Sequence, residues 1–170
     1  MNNDIASSMI RNCDDELQNI DAIKNVVGDT SPIMKFLTRY SLIKACGTIE
    51  FTYKNIIADF CEESQKIQIK NYISNNIRNS SQNPTLDNIH RLLKDFDEGW
   101  NRQFNSMLNE QTEKDKIITS LTSLNDARNE FAHGGNPSIT FKDVRDYFKD
   151  ACKIIEILDK IISSNTSLAL

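Results

Sequence analysis

Residues 41–60 read SLIKACGTIEFTYKNIIADF, and within them Leu42, Cys46, Ile49, Tyr53, Ile56 and Phe60 recur in alternating steps of four and three. Because an α-helix turns once in 3.6 residues, that spacing returns to one side of the cylinder. It is the stripe a bundle helix presents to its neighbours. A parallel row at the margin, Ile43, Glu50 and Ile57, sets a carboxylate between two isoleucines. Glu50 there either reaches solvent, pairs with a nearby Lys or Arg, or supports a catalytic Arg or His.

Working outward, the same reading extends over the chain. Upstream, Ser31-Pro32 supplies an N-cap followed by proline at the first helical position. Before it, Ile5, Met9, Cys13, Leu17, Ile20, Ile23 and Val27 mark a helix over 4–27 that stops at Gly28-Asp29. Downstream, Ile67, Ile69, Tyr72, Ile73 and Ile77 either continue the long helix or begin another. Asn79 to Pro84 is the clearest loop and reads as a surface turn. Thr85 caps the next apolar face, and Gly99 is expected to interrupt it before Trp100, Phe104, Met107 and Leu108. That aromatic group reads as core or a dimer contact and not as a base-stacking platform.

Two long helices close the chain. One spans about 112–132, with Ile117, Leu121, Leu124 and Phe131 inward, and ends at His133-Gly134-Gly135-Asn136-Pro137. The other starts near Thr140, with Asp143 in its first turn, and carries Val144, Phe148, Ala151, Ile155, Leu158 and Ile162 inward. From Ser163 onward the tail is expected to fray. The expected fold is all-α: an antiparallel bundle of four or more main helices, one domain over 1–170, with a core of about 36–163 and an N-terminal helix within 1–30.

Composition bounds the function. At 170 residues the chain can bury about 70% of its unfolded surface, enough for its own core. A formal net charge of −4 argues against coating nucleic acid non-specifically, yet leaves room for a local basic patch. Cys13, Cys46, Cys61 and Cys152 lie far apart, without metal-ligand spacing, so neither a zinc site nor another cofactor is expected. The N-terminus lacks the apolar core of a signal peptide, and no run approaches the ~20 apolar residues of a membrane span. A cytoplasmic protein with no membrane partner is the expectation.

Of the two histidines, His90 sits beside Arg91 on a polar helix side and reads as solvated. His133 ends a helix, where the terminal carbonyls favour positive charge, and two glycines follow that let a backbone or substrate approach. Arg128 lies five residues earlier, about 1.4 turns back, so the two need not share a face, and a bend at the glycines can bring both to one cleft edge. RNA carries its own nucleophile, the 2′-hydroxyl. A histidine can take that proton or protonate the leaving oxygen, and a guanidinium can hold the phosphate. The same two residues also fit an ordinary helix end.

Arg128-Asn129-Glu130-Phe131-Ala132-His133 resembles the Arg-x4–6-His motif of the HEPN family, including the Asn after Arg. Ser41 to Glu50 is similar to the acidic-residue helix of HEPN subgroups found at prokaryotic defence and toxin loci, nearest the RiboL-PSP or MAE-type nucleases. The similarity covers about 39–162. It implies a metal-independent endoribonuclease acting by 2′-hydroxyl attack, as a toxin or anti-phage effector, with RNA as substrate. It further implies a homodimer whose composite site holds Arg128 and His133 of both copies, and an antitoxin or regulatory partner. In that reading Asn129 contacts substrate or orients the pair, and Glu50 positions Arg128. The alternative is a HEPN domain that binds RNA or a partner without turnover. HEPN toxins silenced by AMP transfer carry a Tyr two places after the motif His, where this chain has Gly135, which weighs against that control.

Overall fold

The computed structural model describes residues 1–166, and among them every regular element is helical. The order is α1 (Asp4–Val27), α2 (Pro32–Glu62), α3 (Ile67–Ile73), a π-helical turn (Ser74–Arg78), α4 (Leu86–Phe96), α5 (Glu98–Asn109), α6 (Lys114–Ala132) and α7 (Phe141–Thr166). The expected all-α bundle is what forms.

α2 is the central pillar, packed against α1, α6 and α7, while α6 and α7 pair with each other. The stripe read from residues 42–56 is its buried side: Leu42, Cys46, Ile49, Tyr53 and Ile56 are at most 2% exposed. Val144, Phe148, Ala151, Ile155, Leu158 and Ile162 of α7 complete the core opposite Ile117, Leu121 and Leu124 of α6. Trp100, Phe104 and Leu108 are core as well, with Phe60 set edge-on to Trp100 at 5.1 Å.

Helix ends follow local chemistry. Ser31 Oγ accepts from the Ile33 N–H ahead of Pro32, and Thr85 Oγ1 accepts from the Asn88 N–H. Thr140 and Asp143 cap reciprocally: the Thr140 N–H donates to Asp143 Oδ2 at 3.0 Å and the Asp143 N–H to Thr140 Oγ1 at 3.1 Å.

Of the two readings open for residues 67–78, a new helix is what forms: the chain turns at Ser64, whose φ is 57°, and α3 begins at Ile67. Other expectations are revised. The break expected at Gly99 falls at Asp97, whose carboxylate accepts from the Gly99 and Trp100 N–H groups and starts α5. On α1 the inward row is Ala6, Cys13, Leu17 and Ile20, leaving Ile5 and Ile23 exposed. His90 is half-buried and partnered where a solvated surface residue was expected: Nδ1 lies 2.7 Å from Asn101 Oδ1, and its ring meets Phe104 edge-on. α7 continues through 163–166, where fraying was expected, and the rest of the tail lies outside the described residues.

The outer side of α2 is also apolar. Ile33, Phe36, Tyr40, Ile43 and Phe51 are between 43% and 69% exposed, and a Cβ placed on Gly47 would meet nothing within 4 Å. With Gly47 between Ile43 and Phe51 they run in steps of three and four and form a second stripe, largely open among the described residues, with the Tyr40 hydroxyl donating to Glu16 Oε2 of α1.

Candidate functional site

α6 ends in a Schellman arrangement. The Gly135 N–H donates to the Glu130 carbonyl at 2.8 Å and the Gly134 N–H to the Phe131 carbonyl at 3.0 Å, with Gly134 at φ +84°. His133 is therefore the C-cap residue, exposed at the turn, and its imidazole makes no hydrogen bond among the described residues. The two glycines have different reasons. Gly134 supplies the left-handed backbone, whereas a Cβ on Gly135 would stand 2.6 Å from Glu130 Cγ and 2.9 Å from Glu130 O. A tyrosine at that place would clash with the helix end as it is built here.

Arg128 is half-buried on the last full turn. Its Nη1 donates to Asn83 Oδ1 at 2.6 Å and to Asn129 Oδ1 at 3.2 Å, and Asn83 Nδ2 donates to Asn129 Oδ1 at 2.9 Å. Two amide oxygens thus hold one edge of the guanidinium, and no carboxylate among the described residues lies within ion-pair distance of it. Nε and Nη2 make no hydrogen bond among the described residues and remain free to donate.

The loop carrying Asn83 is fastened from three helices. From α2, buried Lys54 donates to the Ser80 carbonyl and pairs with Glu50 at 2.8 Å, while Glu50 Oε1 accepts from the Gln82 N–H at 2.9 Å. From α6, Asn125 Nδ2 donates to the Pro84 carbonyl at 3.0 Å. From α4, Asn88 Nδ2 donates to the Asn83 carbonyl at 2.8 Å. The segment read as a plain surface turn is a half-buried strap across the motif helix.

Of the four residues singled out from sequence, Arg128 and Asn129 meet directly. Glu50 reaches Arg128 only through Gln82 and Asn83, and His133 makes no hydrogen bond to any of the other three. Cys46 is buried against α6, with its Sγ donating to the Leu124 carbonyl at 3.4 Å. Burial pushes its thiol up to about 12, the Arg128 charge acting to lower it and the Glu50 charge to raise it.

Sequence reasoning missed Asn83, Lys54, Arg39 and Asn136. Arg39 Nη2 donates to Asn136 Oδ1, and the guanidinium sits 5.5 Å from the centre of the Phe131 ring, tying α2 to both sides of His133. None of these four belongs to a motif; only the polar character of 79–84 hinted at something other than packing. Among the described residues no three His, Cys, Asp or Glu gather where a metal ion could be held. No helix there is long and apolar enough to cross a membrane.

A family model described as RiboL-PSP-HEPN matches residues 8–164, from within α1 to near the end of α7. No curated protein and no solved structure matches the chain.

Proposed function

The chain belongs to the RiboL-PSP-HEPN family, and on that footing we propose that it is a metal-independent endoribonuclease. The observation that carries the reading is the guanidinium of Arg128, held by Asn83 and Asn129 with no carboxylate partner among the described residues, on the helix whose exposed end is His133. Arg128 Nε and Nη2 match two non-bridging phosphate oxygens. The 2′-hydroxyl attacks the adjacent phosphorus as its proton passes to a base. The bond to the 5′-oxygen breaks, and that oxygen takes a proton from an acid. The products are a 2′,3′-cyclic phosphate and a 5′-hydroxyl, and Arg128 offsets charge developing on phosphorus oxygens.

One chain offers one motif imidazole for two proton transfers. A second copy supplies the other, which is why a homodimer is part of the proposal. The exposed stripe Ile33, Phe36, Tyr40, Ile43 and Phe51 suits an apolar twofold contact. It borders the site: Arg39, next to Tyr40, holds the motif turn, and Glu50, next to Phe51, holds the strap. Asn129 Nδ2 makes no hydrogen bond among the described residues and is the group that meets substrate in this reading. The biological role that fits such an activity is a toxin or defence effector kept in check by a partner protein.

The test is cleavage of total RNA in excess EDTA, with end-group analysis. Wild type is expected to leave 2′,3′-cyclic phosphates, and His133→Ala and Arg128→Ala to lose at least about 100-fold in rate. Undiminished cleavage by both variants refutes the assignment. Growth arrest on inducing wild type, absent with His133→Ala, tests the toxin role. A second reading, RNA or partner binding without turnover, draws on the imidazole of His133 having no orienting partner among the described residues. It predicts tight RNA association with no new ends.

A further inference from the structure

Beside the motif turn lies a cleft of about 600 Å³ between the α1–α2 hairpin and the segment joining α6 to α7. Its rim carries Lys24, Lys35, Arg39 and Lys142 against one carboxylate, Asp29, in a chain whose formal net charge is −4. Lys24 is shared with Asp21 and Asp29, at 3.7 and 3.4 Å, and Lys142 with Asp146 at 2.6 Å. Lys35 and Arg39 have no carboxylate within ion-pair distance among the described residues. They are four apart on α2 and so lie on the same side of that helix. The floor is apolar, formed by buried Met34 and Phe141 with half-buried Ile139. A cationic rim over an apolar floor fits an anion attached to a flat, weakly polar body, which describes a nucleotide.

Position makes this more than a basic patch. Asn136 and Pro137 line the cleft, and Asn136 is three residues from His133, a Cα separation of at most about 11 Å. Arg39 belongs to both places. It lines the cleft, accepts the Phe131 ring beneath it and donates to Asn136. A strand gripped here would lie beside the motif turn.

We propose that this cleft is a nucleotide-binding subsite that holds the RNA strand flanking the scissile phosphate, with Lys35 and Arg39 on a neighbouring phosphate and half-buried Pro137 and Ile139 under a base. The proposal rests on the ribonuclease reading for the identity of the strand, but its test reads binding and not turnover.

The experiment measures affinity of full-length protein for a fluorescent RNA oligonucleotide with every 2′-hydroxyl methylated, which cannot react, over a range of salt. Lys35→Glu is expected to weaken binding roughly tenfold and to lower the salt slope by about one. Lys142→Ala, on the opposite rim, is expected to weaken it less. Lys114→Glu makes the same charge change at the far end of α6, about 21 Å of helix from Arg128, and is expected to bind as wild type. Lys35 is exposed, so folding is not at stake. If Lys35→Glu and Lys142→Ala bind as wild type does while wild type cuts reactive RNA, the subsite is wrong and the nuclease stands. If Lys35→Glu weakens binding but wild type never cuts, the subsite stands and the nuclease reading falls. No RNA binding by wild type overturns both.

Discussion

Arg128 Nη1 and Asn83 Oδ1 meet at 2.6 Å across 45 residues of sequence, so the guanidinium of the motif is aimed by a residue outside it. Asn83→Ala removes that acceptor and leaves Arg128 with Asn129 alone. Catalytic rate is expected to fall about tenfold, the order expected when a charged group loses one positioning hydrogen bond. The split between kcat and KM checks it. A loss confined to KM, or no loss, would show that the contact is merely structural.

The anchor of the strap is a buried charge. The Lys54 side chain is 4% exposed and Glu50 16%, and Lys54 also serves the Ser80 carbonyl. Lys54→Met strands both acceptors and is expected to cost about 2 kcal/mol of stability, discounted from a fully buried pair because Glu50 is partly wet. Glu50→Gln keeps an acceptor for the Gln82 N–H and is expected to cost less than half as much. Urea unfolding of the two variants decides the ranking.

At the helix end, Gly134→Ala has room for its methyl group but not the backbone, at φ +84°. The expected cost is about 1 kcal/mol, or a melting temperature lower by about 2–4 °C. Gly134→Asn, which tolerates that conformation better, is expected to lose less. Equal losses in calorimetry would remove the left-handed backbone as the reason for glycine.

Association is tested on the outer stripe of α2. Phe36→Glu and Ile43→Glu replace residues 69% and 43% exposed, so the single chain loses little by either change. The proposed dimer is expected to dissociate and cleavage to fall with it, by at least about tenfold. Sedimentation and activity should be measured on the same samples. A monomeric variant that cuts at the wild-type rate would remove the composite site.

Alkaline pH offers a check on the core. Burial raises the thiol of Cys46 from its ordinary 9.0 to about 12, and also raises the Cys152 thiol and the Tyr53 hydroxyl. The folded protein thus prefers the neutral forms, while the unfolded chain ionises at ordinary values. Stability is whole below the ordinary thiol value and is lost as pH climbs from there toward the folded value. Urea midpoints are expected to hold to about pH 8 and decline by about pH 10.5, with a shallower decline in Cys46→Ala. A flat profile would contradict the burial.

The regular parts of this protein were legible because periodicity is local. Residues 42–56 and 144–162 declare their buried sides by spacing alone, and Ser31, Thr85 and Thr140 declare helix starts by the hydroxyls they place there. Arg128, Asn129 and His133 were legible as a string. The contacts that aim them were not: Asn83 and Arg39 approach from other segments, and no spacing rule links position 83 to 128 or 39 to 136. Reading Glu50 as a partner of Arg128 shortened a chain that runs through Gln82 and Asn83. His90 looked solvated because the residue that meets it, Asn101, lies on the next helix.

The burial of Lys54 separates two responses to ionic strength. Salt screens charges that face water and hardly reaches those that do not. The cations on the cleft rim would therefore release a strand as salt rises, while the Lys54–Glu50 clamp would keep Arg128 in place. Substrate capture and site geometry become separable variables in one chain, and activity lost to moderate salt should return in full when RNA is supplied to saturation.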